Sequence, residues 1–360
     1  MENNTTKVTM FVLLGFPIGH KAEILLSAIL LAMYILTLTG NLVILGIVPT
    51  SRQLHTPMYY FLCNLSVLDI FFTSVIIPQF ISNLLSGNKT ISFAGCMAQS
   101  YIYFFLGTVE YFLLTSMSYD RYAAICNPLR YHTLMNGWVC THMVLGCWMG
   151  GFLSVLFPTI LISRLPYCQS NVIDHFFCDS GPLLELSCSD TRMIELMDFL
   201  LSSIVILCSL VLTIVSYAYI ISTILRIPTS MGRRKAFNTC ASHLTIISIS
   251  CGITIFIYVT PSQKGTLGLQ KIPAVLTTIV CPFLNPFIFT LRNDTVTGAL
   301  KQCFVQLKDV VVHRVLQCQR GSAAVRKALR GKLQNSCPNP AGQQDLIVCE
   351  RFWRVRKALK

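Results

Sequence analysis

Apolar residues crowd into seven runs, at roughly 24–48, 58–85, 96–121, 139–161, 197–225, 237–260 and 272–291. Each is long enough for the about 20 helical residues that a bilayer crossing takes. Several runs carry a Gly, a Pro or a polar residue, which helices packed inside a bundle tolerate. The pattern predicts an all-α membrane protein with a seven-transmembrane helix bundle, its two ends on opposite sides. It divides the chain into an N-terminal segment 1–23, a membrane domain 24–292, an amphipathic helix 293–316 lying on the membrane, and a tail 317–360. Residues 1–20 are polar to mixed and lack the basic start and short apolar core of a cleaved signal, so the first run is expected to direct insertion.

Composition agrees. The chain is 53% hydrophobic and 12% charged, where soluble domains carry roughly a quarter charged residues. The net charge of +13 is unevenly held: His313 to Lys360 contains eleven Lys/Arg against Asp345 and Glu350, leaving only +4 elsewhere. The basicity therefore belongs to the tail, where Val325-Arg326-Lys327-Ala328-Leu329 recurs as Val355-Arg356-Lys357-Ala358-Leu359. Such clusters beside a membrane favour anionic lipid, so membrane lipid is the expected partner and nucleic acid is not. An extension with no role is the plainer alternative. Cys303, in the amphipathic stretch, is open to palmitoylation or is simply inert.

Charge decides orientation weakly, with nine Lys/Arg near the Arg121 side and seven near the other. Glycosylation sequons at Asn3, Asn4 and Asn88 share one predicted side, which makes the N-terminus extracellular and the C-terminus cytoplasmic. Of sixteen cysteines most lie in spans as small hydrophobes. Cys96, Cys168, Cys178 and Cys188 gather on the sequon side, where an oxidising compartment favours disulfides; four cysteines allow three pairings. The loop 163–196, stapled to the top of the third run, is expected to form a lid.

Polar residues inside the runs carry the candidate chemistry. Asp120 and Arg121, flanked by Tyr119 and Tyr122, stand where the third run meets water, as a functional pair or as an interfacial belt with a snorkelling arginine. Asp69 and Glu110 are carboxylates deep in apolar runs. Helical spacing puts Tyr103, Glu110 and Arg121 on one face, with Glu110 about 16 Å from Arg121. Asp69 and Glu110, with Asn41 and Asn285 as further oxygen donors, suit a sodium ion or a shared proton; polar glue between helices is the alternative. Pro282 and Pro286 bracket Asn285 and kink the seventh run, as a hinge or a static bend. No Ser/His/Asp, phosphate-loop or zinc-ligand spacing is present, so neither an enzyme nor a metal site is expected. His243 and His142 read as structural.

Taken together, the seven runs, Asp120-Arg121-Tyr122, Cys96 and Asn285-Pro286 resemble the rhodopsin-like G-protein-coupled receptors. The segments Leu54 to Leu62, Met117 to Cys126, Asn127 to Tyr131, Ser216-Tyr217, Lys235 to Leu244 and Pro282 to Ile288 are similar to the signatures of the olfactory receptors. The resemblance spans about residues 1–312. It implies an odorant receptor of the plasma membrane that couples through a stimulatory, olfactory-type G protein to cyclic AMP. It also implies disulfides Cys96–Cys178 and Cys168–Cys188, a sodium site at Asp69 and Glu110, and a coupling set of Asp120, Arg121, Tyr122, Tyr217, His243, Asn285 and Pro286. Departures are Phe289 in place of a tyrosine, Ser250-Cys251-Gly252 where an aromatic pair precedes the glycine, and Ser118 for alanine, the last expected to matter little.

A receptor of this class for amines keeps an acid seven residues after the first cysteine. Tyr103 stands there instead, which predicts a neutral, mostly apolar ligand. Tyr103, Phe104, Gly107 and Thr108 of the third run are the expected contacts, with Ser202, Val205 and Ile206 of the fifth. Ile255 and Tyr258 of the sixth and Thr278 of the seventh complete the set. A secondary transporter is the rival class, but the matched internal repeats of such proteins are missing. A chemosensory receptor outside the olfactory epithelium has the same motifs.

Overall fold

A computed structural model of the chain describes residues 8–168, 170–259, 267–291 and 295–302. Six long helices run through it: α1 (His20–Thr50), α2 (Pro57–Ser86), α3 (Phe93–Cys126), then, beyond the short α4 (Tyr131–Leu134), α5 (Gly137–Ser163). After the short α6 (Ser180–Glu185) come α7 (Arg192–Leu225) and α8 (Ser230–Val259). The seventh rod is α9 (Leu267–Val275) and α10 (Cys281–Leu291), joined by a π-helical turn at Leu276–Val280. Residues 295–302 are helical too, the described part of the expected amphipathic helix. Asn3, Asn4 and the tail 317–360 lie outside the described residues.

The helices overrun the apolar runs, and at two of their starts a side-chain cap sets the end. Ser92 Oγ accepts from Gly95 N at 3.1 Å and starts α3 at Phe93; Asn136 Oδ1 accepts from Val139 N at 3.0 Å and starts α5. Pro57 opens α2 at a position where no backbone donor is needed, and Gly87 closes it at φ 66°. Four of the helices (α1, α2, α5, α7) and the stretch Lys271–Thr290 are long and apolar enough to cross a membrane. α3 and α8, of 34 and 30 residues, have the length; α3 dilutes its apolar run with Glu110, Asp120 and Arg121.

Burial shows which face meets lipid. On α7, Leu207, Val211 and Ile214 are more than half exposed at helical spacing, while Ser209, Thr213 and Tyr217 between them are buried. Inside, small residues allow close helix approach. A Cβ on Gly151 of α5 would lie 2.6 Å from Val109 Cγ2 and 3.2 Å from the Phe105 carbonyl oxygen of α3.

At the Cys96 end the chain builds a cap. β1 (Met10–Leu13) pairs antiparallel with β2 (Thr90–Ser92), Phe11 opposite Ile91, and parallel with β3 (Val172–Ile173), Leu13 opposite Ile173. The polar-to-mixed reading of residues 1–20 gave no sign of this strand, whose Phe11 and Leu13 are fully buried against Cys96, Tyr167 and Cys178. Disulfides Cys96–Cys178 and Cys168–Cys188 staple the 163–196 loop, the pairing that the family resemblance implies, with Cα–Cα distances of 5.4 and 5.9 Å. Lys271 at the start of the seventh rod is buried, donating to Gly15 O at 2.8 Å and to Asp174 Oδ1 at 2.7 Å. It thereby ties the N-terminal segment, the lid and α9 together.

Candidate functional site

Below the cap the bundle encloses a cavity of about 290 Å³. One stripe of α3 forms a wall, with Tyr103, Gly107, Glu110 and Leu114 recurring every three or four residues beside Phe104 and Thr108. A stripe of α7 faces it, with Asp198, Ser202, Val205 and Ile206 at i, i+4, i+7 and i+8. Phe177 of the lid packs on Tyr103 with ring centroids 4.5 Å apart, and the lid's Cys178 N donates to Gln99 Oε1 of α3 at 3.0 Å. The lid thus rests on the wall of the cavity.

Seven of the ten expected ligand contacts line this space. Thr278 does not: it is fully buried, its hydroxyl donating to Ala274 O at 2.6 Å, and Thr277 lines the cavity instead. The cause is the π-helical turn, whose extra residue per turn shifts the face of the rod by one position. The side chains of Ile255 and Tyr258 lie outside the described residues. Ser250, where an aromatic residue is common in such receptors, lines the cavity. Tyr103, standing where an amine receptor of this class keeps its acid, lines the cavity as expected; two acids at other positions, Glu110 and Asp198, line it too.

Deeper in the bundle Asn285 Nδ2 donates to both oxygens of Asp69 at 3.1 Å. Asn285 therefore offers Asp69 its amide donor. Asn41 spends its amide on Thr37 O at 3.0 Å in its own helix. Ser66, one turn from Asp69, is the buried oxygen left without a hydrogen-bond partner among the described residues. A monovalent cation fits this donor set of carboxylate and orphaned hydroxyl. The described residues hold no cluster of three or more His, Cys, Asp or Glu suited to a metal ion.

At the far end of α3 Asp120 is fully buried and binds Arg121, whose Nε donates to Asp120 Oδ2 at 3.0 Å and whose Nη2 does likewise. Tyr131 of α4 donates to the other oxygen, Oδ1, at 2.8 Å. Burial first, then the Asp120 carboxylate, push the Tyr131 hydroxyl upward, so it keeps its proton and stays a donor. A buried charge pair persists only when its remaining lone pairs are met, and Tyr131 meets one. The sequence contains Tyr131 within a matching motif, but only the fold shows that the loop turns it back onto Asp120.

Next to this pair lies a second link. His243 Nε2 is 3.1 Å from Leu114 O, an acceptor only, so Nε2 carries the proton and Nδ1 accepts from Tyr217 Oη at 2.7 Å. One imidazole of α8 therefore ties α7 to α3. The expected structural histidine is this bridge. Ser118 also gains weight, since its hydroxyl lies 3.2 Å from Thr213 Oγ1 of α7. Tyr122 packs edge-on against Tyr219 of α7, with centroids 5.8 Å apart. Pro286 meets Gly40 of α1, where an added Cβ would lie 2.9 Å from its ring.

Comparison with known proteins gives one answer. A family model described as "Olfactory receptor" matches residues 30–307. The chain is 61% identical to human olfactory receptor 6J1 over 94% of its own length and 97% of that protein's. It is 53% identical to human olfactory receptor 6T1, covering 83% and 93% of the two chains. The 338 residues matched to the former exceed the 316 that precede the tail, so that match enters the basic extension. In structure the chain resembles squid rhodopsin, with a TM-score of 0.63 and 17% identity over 80% of this chain and 82% of that one, which bears on the fold alone. The chain belongs to the olfactory receptor family: a multi-pass plasma-membrane receptor with a rhodopsin-like seven-helix fold, and not an enzyme.

Proposed function

We propose that this receptor answers a small, mostly apolar odorant bound between α3 and α7, and signals through a stimulatory, olfactory-type G protein to raise cyclic AMP. The observation that carries the reading is the single helix α3, which lines the cavity at Tyr103 to Glu110 and presents the Asp120–Arg121 pair one and a half heptads further on. The N-terminus is extracellular and the Arg121 end cytoplasmic, in keeping with the disulfides at the Cys96 end. At rest Asp120, steadied by Tyr131, holds Arg121. Ligand binding shifts α7 and α8 relative to α3, and Arg121 is released to the G protein. Asp69, Ser66 and Glu110 hold a sodium ion at rest, which adds a charge that favours the inactive packing. Asn88 is exposed in the turn before β2 and available for glycosylation.

A cyclic-AMP reporter assay over an odorant panel tests this, with Arg121→Ala as control. The reading expects at least one odorant to raise cyclic AMP in the parent and none in the variant at equal surface level. Ligand-dependent flux without G-protein coupling contradicts it.

A further inference from the structure

The cavity is mostly apolar, yet its described lining contains two carboxylates, Asp198 and Glu110, and no Lys, Arg or His. Glu110 lies two helical turns below Tyr103, on the side of the buried Asp69 layer. Asp198 stands two turns above Val205, at the cap end of the α7 stripe, half-buried and without a hydrogen bond or ion pair among the described residues. The buried cation nearest in kind, Lys271, is already taken by Asp174 and Gly15 O. A carboxylate is an acceptor only, and one left unpaired in an apolar recess is costly unless the occupant supplies a donor. Ser202 lies one turn further in on the same stripe, followed by Val205 and Ile206, so the wall grades from charged through hydroxyl to apolar.

We propose that Asp198 is the recognition carboxylate of this cavity and that the ligand is a small organic amine, its ammonium group on Asp198 and its apolar body against α3. This rests on the reading of the cavity as the ligand site and adds the chemical class. A charge-assisted hydrogen bond in a recess of this kind exceeds a neutral one, and a molecule of equal length ending in a hydroxyl lacks the charge. The acid missing at Tyr103 is thus supplied from across the cavity, on α7.

The test uses the full-length receptor in cells with the olfactory G protein, probed with hexylamine, hexan-1-ol and hexanoic acid, then with a broader neutral panel. Surface level is read by immunostaining. The proposal expects hexylamine to be at least about tenfold more potent than hexan-1-ol, and hexanoic acid to be the weakest. Asp198→Asn should lower the ratio of amine to alcohol potency by about tenfold, while Asp198→Glu largely restores it. Equal potency of amine and alcohol, or a shift of both by the same factor in Asp198→Asn, overturns the proposal and leaves the cavity reading standing. So does a receptor that answers only neutral molecules. Silence to every probe at normal surface level, with a control receptor responding, contradicts the receptor reading itself, and the proposal falls with it.

Discussion

Tyr131 donates to Asp120 through the carboxylate oxygen that Arg121 leaves free, at 2.8 Å. The restraint on Arg121 is therefore a three-residue arrangement reaching from α3 to α4. Breaking the pair at Asp120 frees the guanidinium, so Asp120→Asn should raise basal cyclic AMP. Tyr131→Phe removes one charged hydrogen bond and should shift the resting equilibrium by about tenfold or somewhat more. Basal reporter signal normalised to surface level checks both, with Asp120→Asn the larger. No rise in a well-expressed Asp120→Asn returns the pair to an interfacial role.

Lys271 holds the cap by joining Gly15 and Asp174. Lys271→Met leaves the Gly15 carbonyl oxygen without this donor, with an expected loss of about 1–3 kcal/mol. The melting temperature of detergent-purified receptor should fall, and Asp174→Asn should cost much less in the Lys271→Met background than in the parent. Additive losses would show that the two do not act together.

His175 is buried beside Phe176 and Phe177 in the lid, with ring centroids 4.7 and 4.5 Å away. Burial holds its imidazole below the ordinary value; Asp179 and Asp174 oppose this and Lys271 adds to it. Its folded value thus lies below the unfolded one, so its stabilising contribution is present above about pH 6.5 and is lost as pH falls through the folded value. Thermal stability should decline on acidification below about pH 6.5, and His175→Asn should flatten that decline. An unchanged profile in the variant assigns the effect to other groups.

Gly151 lets α5 lie directly on α3, and the obstacle to a side chain there includes the Phe105 backbone oxygen, which cannot swing aside. Gly151→Ala should destabilise by about 1–3 kcal/mol through overpacking. Gly146→Ala, where nothing lies within 4 Å of the added Cβ, should leave the melting temperature unchanged or raise it slightly, since alanine suits a helix better than glycine.

Hydropathy made the seven rods legible, and helical spacing placed Tyr103, Glu110 and Arg121 on one helix whose stripe lines the cavity. The features it missed are those made by contacts distant in sequence or by local irregularity. β1 is only four residues long, and its partners lie about 80 and 160 positions away. Thr277 takes the place of Thr278 because the π-helical turn breaks the register of a regular helix. Asp198 stands at the second residue of the fifth apolar run, where an acid reads as a polar edge; α7 starts at Arg192, which brings Asp198 a turn and more inside the helix.

On the proposed function, ligand acts in the α3–α7 cavity. Gly107 lines it, and a Cβ there would sit 4.0 Å from Phe72 Cε2, so a side chain grows into the cavity and not into the packed wall. The decisive measurement is the cyclic-AMP dose response of Gly107→Leu to an odorant that activates the parent, at matched surface level. The response should be lost or displaced by about tenfold or more, as for any contact a bound ligand needs. A dose response superimposable on the parent's would place the ligand elsewhere and contradict it.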